Sequence, residues 1–218
     1  MFNMAVSKSE IFKVIILGDG GVGKSSLMNR YVSDKFDSQS FHTIGVEFLN
    51  KDVTINDEKH TIQIWDTAGQ ERFKSLRTPF YRGSDCCILT FCLDDKQSFI
   101  NLSMWRKEFF YYADIPEQSW EHFPFILLGN KSDISAEERA VTEEEANQWC
   151  QDNGKVPYFE TSAKTAVNVS TAFSAATERI IRFHSSHDDK GAQKQVGAIN
   201  LNNKPSNKPA SSTQSCCS

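Results

Sequence analysis

The sequence predicts an α/β fold: a six-stranded, mostly parallel sheet with one antiparallel strand and helices on both faces. Three observations carry that expectation. Short apolar runs alternate along the chain with amphipathic stretches of helical period. Two neighbouring segments, 46–55 and 60–65, alternate with period two about the polar turn Asn56-Asp57-Glu58-Lys59, as a hairpin does. A glycine-rich loop joins the first apolar run to the first helical stretch. Strands separated by helices pair in parallel and are covered on both faces, and the hairpin supplies the antiparallel strand.

The elements follow in order. Residues 12–17 form a strand that runs into the glycine loop, and 24–33 read as a helix. The hairpin segments come next, then a strand at 86–93 and a helix over 97–112. Residues 125–128 form another buried strand, and 142–152 a helix that Thr142 caps, with Glu145 as its box partner. A last strand spans 156–160 and a last helix 167–183. After His184 large apolar groups nearly vanish, and 185–218 is rich in Ser, Asn, Gln, Lys and Pro. Such a stretch buries too little surface to offset its ordering entropy, so a disordered tail is expected. The chain therefore divides into a short extension, 1–10, a folded domain, 11–184, and the tail, 185–218, with no internal repeats.

Composition bounds the function. A chain of 218 residues, 39% hydrophobic and 24% charged, suits one soluble domain with a tail. A net charge of -4 gives no basic footprint, which argues against nucleic acid as a partner. The opening MFNMAVSKSEIF lacks the apolar core of a signal peptide, and the longest apolar run, 86–93, is one buried strand. Of six cysteines, Cys86, Cys87 and Cys92 share that run and Cys150 lies in a helical pattern, so reduced core thiols are expected rather than disulfides.

The stretch G-D-G-G-V-G-K-S-S, residues 18–26, fits two phosphate-binding signatures. Gly18, Gly20 and Gly23 have dinucleotide spacing, whereas Gly18, Gly23, Lys24 and Ser25 have P-loop spacing. The dinucleotide reading leaves Lys24 and Ser25 idle and wants an acid at a strand end about 20 positions on. Asp34 and Asp37 lie near that distance, but in a polar stretch. The P-loop reading gives every residue work. Glycines let backbone N–H groups converge on phosphate, the helix N-terminus adds positive charge, Lys24 reaches the terminal phosphates, and the Ser25 hydroxyl binds Mg²⁺. A nucleoside triphosphate is the expected ligand.

The base is read from Asn130-Lys131-Ser132-Asp133, directly after a buried strand. An Asp carboxylate there accepts two hydrogen bonds from guanine, which adenine cannot offer. Thr161-Ser162-Ala163-Lys164 follows the last strand and faces the same crevice. The chemistry is read from Trp65-Asp66-Thr67-Ala68-Gly69-Gln70 at the end of the third strand. Asp66 suits a water-mediated magnesium ligand, Gly69 presents its amide to a terminal phosphate, and Gln70 orients an attacking water. Upstream, Thr43 offers a second hydroxyl to the metal.

Together G-D-G-G-V-G-K-S, T-I-G-V-E-F, W-D-T-A-G-Q-E-R-F, N-K-S-D and T-S-A-K resemble a small GTPase of the Ras superfamily, a P-loop NTPase. The flanking I-G-V-E-F, Q-E-R-F and F-Y-R-G-S-D are similar to the Rab family. Within it, T-P-F-Y-R-G-S-D-C-C and K-E-F-F-Y-Y-A-D most resemble the Rab-nine branch, with Rab seven as near relative. The resemblance covers about residues 11–183. It implies that Gly20, Gly21, Val22, Gly23, Lys24, Ser25 and Ser26 hold phosphate and metal, and that Thr43 and Gly69 sense the γ-phosphate. Gln70 and Lys24 serve hydrolysis. Asn130, Lys131, Asp133, Ser162, Ala163 and Lys164 bind guanine, and Phe36 covers the base edge, unless it is a core residue ending the first helix. Many Rabs have Ser where Gly20 stands, and glycine leaves more room beside the γ-phosphate. Phe48, Trp65 and Phe80 imply an aromatic surface for effectors.

The chain closes Ser215-Cys216-Cys217-Ser218. A C-a-a-X box would need Cys at Ser215, so that motif fails. The ending resembles the paired prenylation site of Rabs, and two chains anchor stably where one is marginal. The resemblance implies a switch on the cytoplasmic face of late-endosomal and trans-Golgi membranes with a cytosolic pool, serving transport between them; a Rab-seven-like route to the lysosome is the alternative. It also implies effectors, an exchange factor, a GTPase-activating protein, a GDP-dissociation inhibitor and a prenylation escort. Two rival classes are a P-loop kinase, against which N-K-x-D argues, and a GTP-binding scaffold without turnover, against which Gln70 argues.

Overall fold

The first strand, β1 (Ile11–Leu17), is the centre from which the sheet grows in both directions. The other strands are β2 (Val46–Ile55), β3 (Glu58–Thr67), β4 (Cys86–Cys92), β5 (Phe125–Asn130) and β6 (Tyr158–Thr161), in spatial order β2-β3-β1-β4-β5-β6. The structure, a computed structural model, describes residues 10–38, 43–55 and 57–194, with side chains through residue 186. All neighbouring strands pair in parallel except the β2–β3 hairpin, as the alternation of elements predicts. Because β3 lies on one side of β1 and β4 on the other, the side on which strands are added reverses at β1, and open α/β sheets bind ligands at the carboxyl end of such a switch point.

The helices are α1 (Lys24–Ser33), α2 (Lys74–Arg77), α3 (Lys96–Ile100), α4 (Leu102–Ala113), α5 (Glu143–Asp152) and α6 (Val169–Lys194). Successive side chains of β1 feed opposite layers. Ile15 and Leu17 join Leu89, Trp105, Phe109 and Leu127 on one face, while Val14 and Ile16 join Leu27, Ile64, Phe173 and Ile180 on the other. Burying each such side chain contributes about 1.5–3 kcal/mol. The strands are the platform; the loops at their carboxyl ends are free to vary. Cys86, Cys87, Cys92 and Cys150 are buried free thiols, as expected.

Four features differ from the sequence reading. The stretch 97–112 is two helices, because Asp95 caps the short α3 through the amides of Gln97 and Ser98, and the chain turns at Asn101. The hairpin is tighter than the polar turn suggests, with Glu58 already paired to Ile55. Residues 71–80, with no periodic signal, hold α2 between two 3₁₀ turns, Glu71–Phe73 and Thr78–Phe80. Finally, α6 continues through 185–194, the first part of the stretch read as a tail. Its foot is fixed where Phe183 meets Phe123 and His184 meets Phe12 and Asp85, and nothing until Gly191 interrupts helical propagation beyond that anchor. The rest of the tail, with Cys216 and Cys217, lies outside the described residues, as do residues 1–9.

Candidate functional site

The glycine loop is built as a phosphate cradle would have to be. Gly21 and Gly23 have φ of +84° and +94°. A Cβ on Gly18 would sit 2.0 Å from the Thr90 carbonyl oxygen, and one on Gly23 would sit 2.3 Å from Asn130 Nδ2. No side chain caps α1, so the first amides of the helix remain available to an anion. In front of them lies a cleft of about 160 Å³, lined by Gly20, Gly21, Gly23, Lys24, Ser25, Ser26, Thr43, Thr67, Gly69 and Gln70. Val22 is buried beneath it. Lys24, only 5% exposed, folds back over the loop, donating to the carbonyl oxygens of Gly18 at 2.9 Å and Asp19 at 2.7 Å. Burial pushes its ammonium pKa down to about 8, although the carboxylates of Asp66 and Asp19 pull the other way. A phosphate in the cleft would add negative charge beside this buried cation.

Three oxygens predicted as metal ligands converge beside Lys24. Ser25 Oγ donates to Asp66 Oδ2 at 2.5 Å, Thr43 Oγ1 donates to the same oxygen at 3.0 Å, and the two hydroxyls are 2.7 Å apart. Asp66 is fully buried and its Oδ1 has no hydrogen-bond partner. Burial pushes its carboxyl pKa up, against Lys24 and the two hydroxyls. Among the described residues no group of three or more His, Cys, Asp or Glu side chains could hold a metal. One carboxylate with two hydroxyls is too few ligands for a dedicated protein cage. It does fit Mg²⁺, which keeps waters and shares its shell with substrate phosphates.

The loop after β3 closes the cleft. A Cβ on Gly69 would lie 2.3 Å from the Asp19 carbonyl carbon, so glycine alone lets this loop approach the cradle. Gln70 follows at the cleft wall. Its carbonyl accepts from Arg77 Nη1 at 2.8 Å. Arg77 is 2% exposed, pairs with Glu108 at 3.1 Å and lies 4.5 Å over the Trp105 ring. Tyr81 completes the network, donating to Glu108 Oε1 at 2.9 Å. From the other side, Asp19 accepts from Asn101 Nδ2 at 2.7 Å and Trp105 Nε1 at 2.6 Å. Sequence reasoning missed Asp19, Arg77, Tyr81, Asn101, Trp105 and Glu108. The one local signal was Glu108 on the buried face of α4, which also carries Trp105; the others lie in loops or short helical turns, and only the fold brings them together.

A second cleft of about 230 Å³ adjoins the first, sharing Gly21, Gly23 and Ser26. It is lined by Phe36, Asn130, Lys131, Asp133, Ala163 and Lys164, so the residues assigned to guanine are assembled from three loops. Phe36 lies beyond the end of α1 and is 38% exposed, a wall of the cleft rather than a core residue. Burial pushes the Asp133 carboxyl up, but the Ser162 hydroxyl, donating at 2.6 Å, and Lys164 at 3.5 Å outweigh it and hold the pKa below the usual range. An ionised carboxylate therefore faces the cleft. Lys131 pairs with Asp94 at 3.2 Å. Asn130 lines this cleft with both ends of its amide engaged within the protein. Its Nδ2 donates to the Val22 carbonyl at 2.8 Å, and its Oδ1 accepts from Ala163 N at 3.3 Å and Thr161 Oγ1 at 3.4 Å.

The three aromatics assigned to a contact surface do form a cluster. Phe48 and Trp65, paired across the hairpin, stack at 4.8 Å, and Trp65 lies 5.4 Å from Phe80. Phe48 and Phe80 are exposed, while Trp65 is half-buried under Lys13, whose Nζ is 4.7 Å above its ring.

Comparison with known proteins returns a consistent picture. The profile of the Ras family matches residues 13–182. The chain is 63% identical to "Ras-related protein Rab-9A" of Homo sapiens over 210 residues, 96% of this chain and 98% of that protein. It is 65% identical to "Ras-related protein Rab-9B" of Homo sapiens over 174 residues, 80% of this chain and 85% of that one. "GTP-binding protein yptV5" of Volvox carteri is 50% identical over 179 residues, 82% and 86% of the respective chains.

Proposed function

Since this chain belongs to the Ras family, in the Rab-nine branch of the Rab GTPases, and hydrolyses GTP, we propose that the two adjoining clefts form its nucleotide site and that Gln70 is the residue on which turnover depends. The observation that carries this reading is the convergence of Ser25, Thr43 and Asp66 at 2.5–3.0 Å beside Lys24, within one cleft that Gln70 borders. Glycine amides and the N-terminus of α1 bind the phosphates, and Lys24 neutralises them. Ser25, Thr43 and Asp66 would hold the magnesium ion, which when bound offsets charge on the phosphate oxygens. Asp133 reads guanine, and Phe36 covers it. Gln70 orients the water, and Thr43 and Gly69 couple the γ-phosphate to the two loops that carry them. Those loops are ordered with GTP and released after hydrolysis, which is how a switch in vesicle traffic is read by its partners.

The test is single-turnover hydrolysis of the isolated, GTP-loaded protein. Gln70→Leu keeps the stem and removes the polar end, so intrinsic turnover slows while GTP affinity holds. A Gln70→Leu rate equal to wild type overturns the assignment.

The finer reading places the protein on late-endosomal and trans-Golgi membranes, anchored by prenyl groups on Cys216 and Cys217 and serving transport between these compartments. Its support is the Rab-nine likeness and the paired cysteines at the end of the chain. Effectors would engage Phe48, Trp65 and Phe80; exchange factor, GTPase-activating protein, GDP-dissociation inhibitor and prenylation escort follow from the same likeness. Replacing both cysteines by serine should abolish membrane residence and spare nucleotide binding. A tagged protein found on lysosomes rather than on late endosomes and the trans-Golgi network refutes the route.

A further inference from the structure

The side-chain amide of Gln70 has a fixed orientation. Its Oε1 accepts a hydrogen bond from Arg72 Nε at 2.6 Å. A guanidinium only donates, so the oxygen and not the amide nitrogen must face it. The rest of the side chain lies against the phosphate loop, with Cγ 3.3 Å and Nε2 4.0 Å from the point a Cβ on Gly20 would occupy. The donor end of the amide is therefore turned toward the loop and the acceptor end away from it. A residue that orients an attacking water must accept one of that water's protons. In this pose the oxygen is bound to Arg72 through one of its two lone pairs and is turned away from the loop where that water must sit. The backbone of Gln70 is held separately, by the bond from Arg77, so only rotation of the side chain remains to be controlled. Arg72 lies on the surface, its guanidinium 4.8 Å over the Phe73 ring.

We propose that Arg72 is a positioning residue that restrains hydrolysis: it holds Gln70 with the amide oxygen out of the phosphate cleft, and turnover waits on release of that hydrogen bond. The inference rests on the reading of Gln70 as the water-orienting residue.

The experiment is single-turnover hydrolysis by the full chain loaded with Mg²⁺·GTP, comparing wild type, Arg72→Ala, Arg72→Lys, Gln70→Leu and the Arg72→Ala/Gln70→Leu double variant. Arg72→Ala should raise the intrinsic rate about fivefold, the scale of one hydrogen bond at a partly exposed site. Arg72→Lys should fall between the two, since lysine keeps the charge and loses the fixed planar donor. In the Gln70→Leu background the Arg72→Ala change should have no effect. GTP and GDP affinities should be the same for wild type and Arg72→Ala, which separates restraint of the glutamine from general loosening of the loop. An Arg72→Ala rate equal to or below wild type overturns the inference, as does an equal acceleration without Gln70. A slow Gln70→Leu beside an unchanged Arg72→Ala sinks this inference alone. A Gln70→Leu as fast as wild type removes the reading of Gln70 and this inference with it.

Discussion

Replacing Glu108 by alanine should cost the fold more than any other single change in the loop-bracing network. The carboxylate is buried, with a side-chain exposure of 5%, and balances Arg77, exposed by 2%, across 3.1 Å. It also accepts from Tyr81 and pairs with Lys74 at 3.2 Å. Without it, the guanidinium keeps the carbonyl oxygen of Gln70 and the Trp105 ring, but no counter-charge. Breaking a buried pair from one side costs about 3–5 kcal/mol, because the remaining charge stays out of water. At roughly 2–4 °C per kcal/mol for a chain of this size, the melting temperature should fall by about 10 °C. Glu108→Gln keeps the shape and an acceptor for Tyr81, so it should lose about half as much. The Arg77→Met/Glu108→Leu pair removes both charges and should be more stable than Glu108→Ala alone. The assay is thermal unfolding by circular dichroism in the same excess of GDP and Mg²⁺ for every variant, which keeps ligand stabilisation equal. If Glu108→Ala melts within about 2 °C of wild type, or the paired replacement melts below it, burial of an uncompensated charge is not what holds this region.

Other expectations follow from the site. Asp133→Asn should lose GTP affinity and gain xanthosine triphosphate binding, because the 2-oxo group of xanthine accepts where guanine donates; competition between the two nucleotides measures it. Ser25→Asn should weaken Mg²⁺·GTP more than GDP, since the metal matters most between β- and γ-phosphates, and equal losses in titration would remove Ser25 from the metal. The Arg139 guanidinium holds the Glu160 carboxyl below its ordinary pKa of 4.5, and burial opposes it. A depressed carboxyl adds stability that is present above the unfolded value and lost as pH falls through the folded one. Arg139→Ala should therefore lower the denaturation midpoint slightly at pH 7, with the difference from wild type shrinking below about pH 4.5. A gap that stays constant into acid would assign the loss to packing instead.

The strands were legible because burial writes itself into composition: β4 is apolar but for Thr90 and β5 apolar through Leu128, and both are buried along their whole length. The Thr142–Glu145 capping box was legible because it is local, and both its hydrogen bonds are present. The glycines at 18, 23 and 69 could be assigned from motif alone, though only the structure says what each would strike. The bracing network was illegible for the opposite reason. Arg77 and Glu108 are 31 positions apart, Asp19 and Trp105 are 86 apart, and nothing in their neighbourhoods says that they meet. The break at Asn101 was hidden by a helical pattern that continues through it, because its cause is an Asp95 cap on one side and an Asp19 partner on the other.

Asn130 belongs to the motif for the base, yet its amide works as a keystone. One side chain, 2% exposed, clasps the phosphate loop through Val22 and the loop after β6 through Ala163. A nucleotide seated across both clefts touches the same loops that this amide ties to one another. The two ends of the site are thus mechanically in series. With the nucleotide seated as proposed, prying at the phosphate end would loosen the grip on guanine through this amide, and filling the base end would stiffen the cradle. Ejection of the nucleotide then calls for one lever, applied anywhere along the arch.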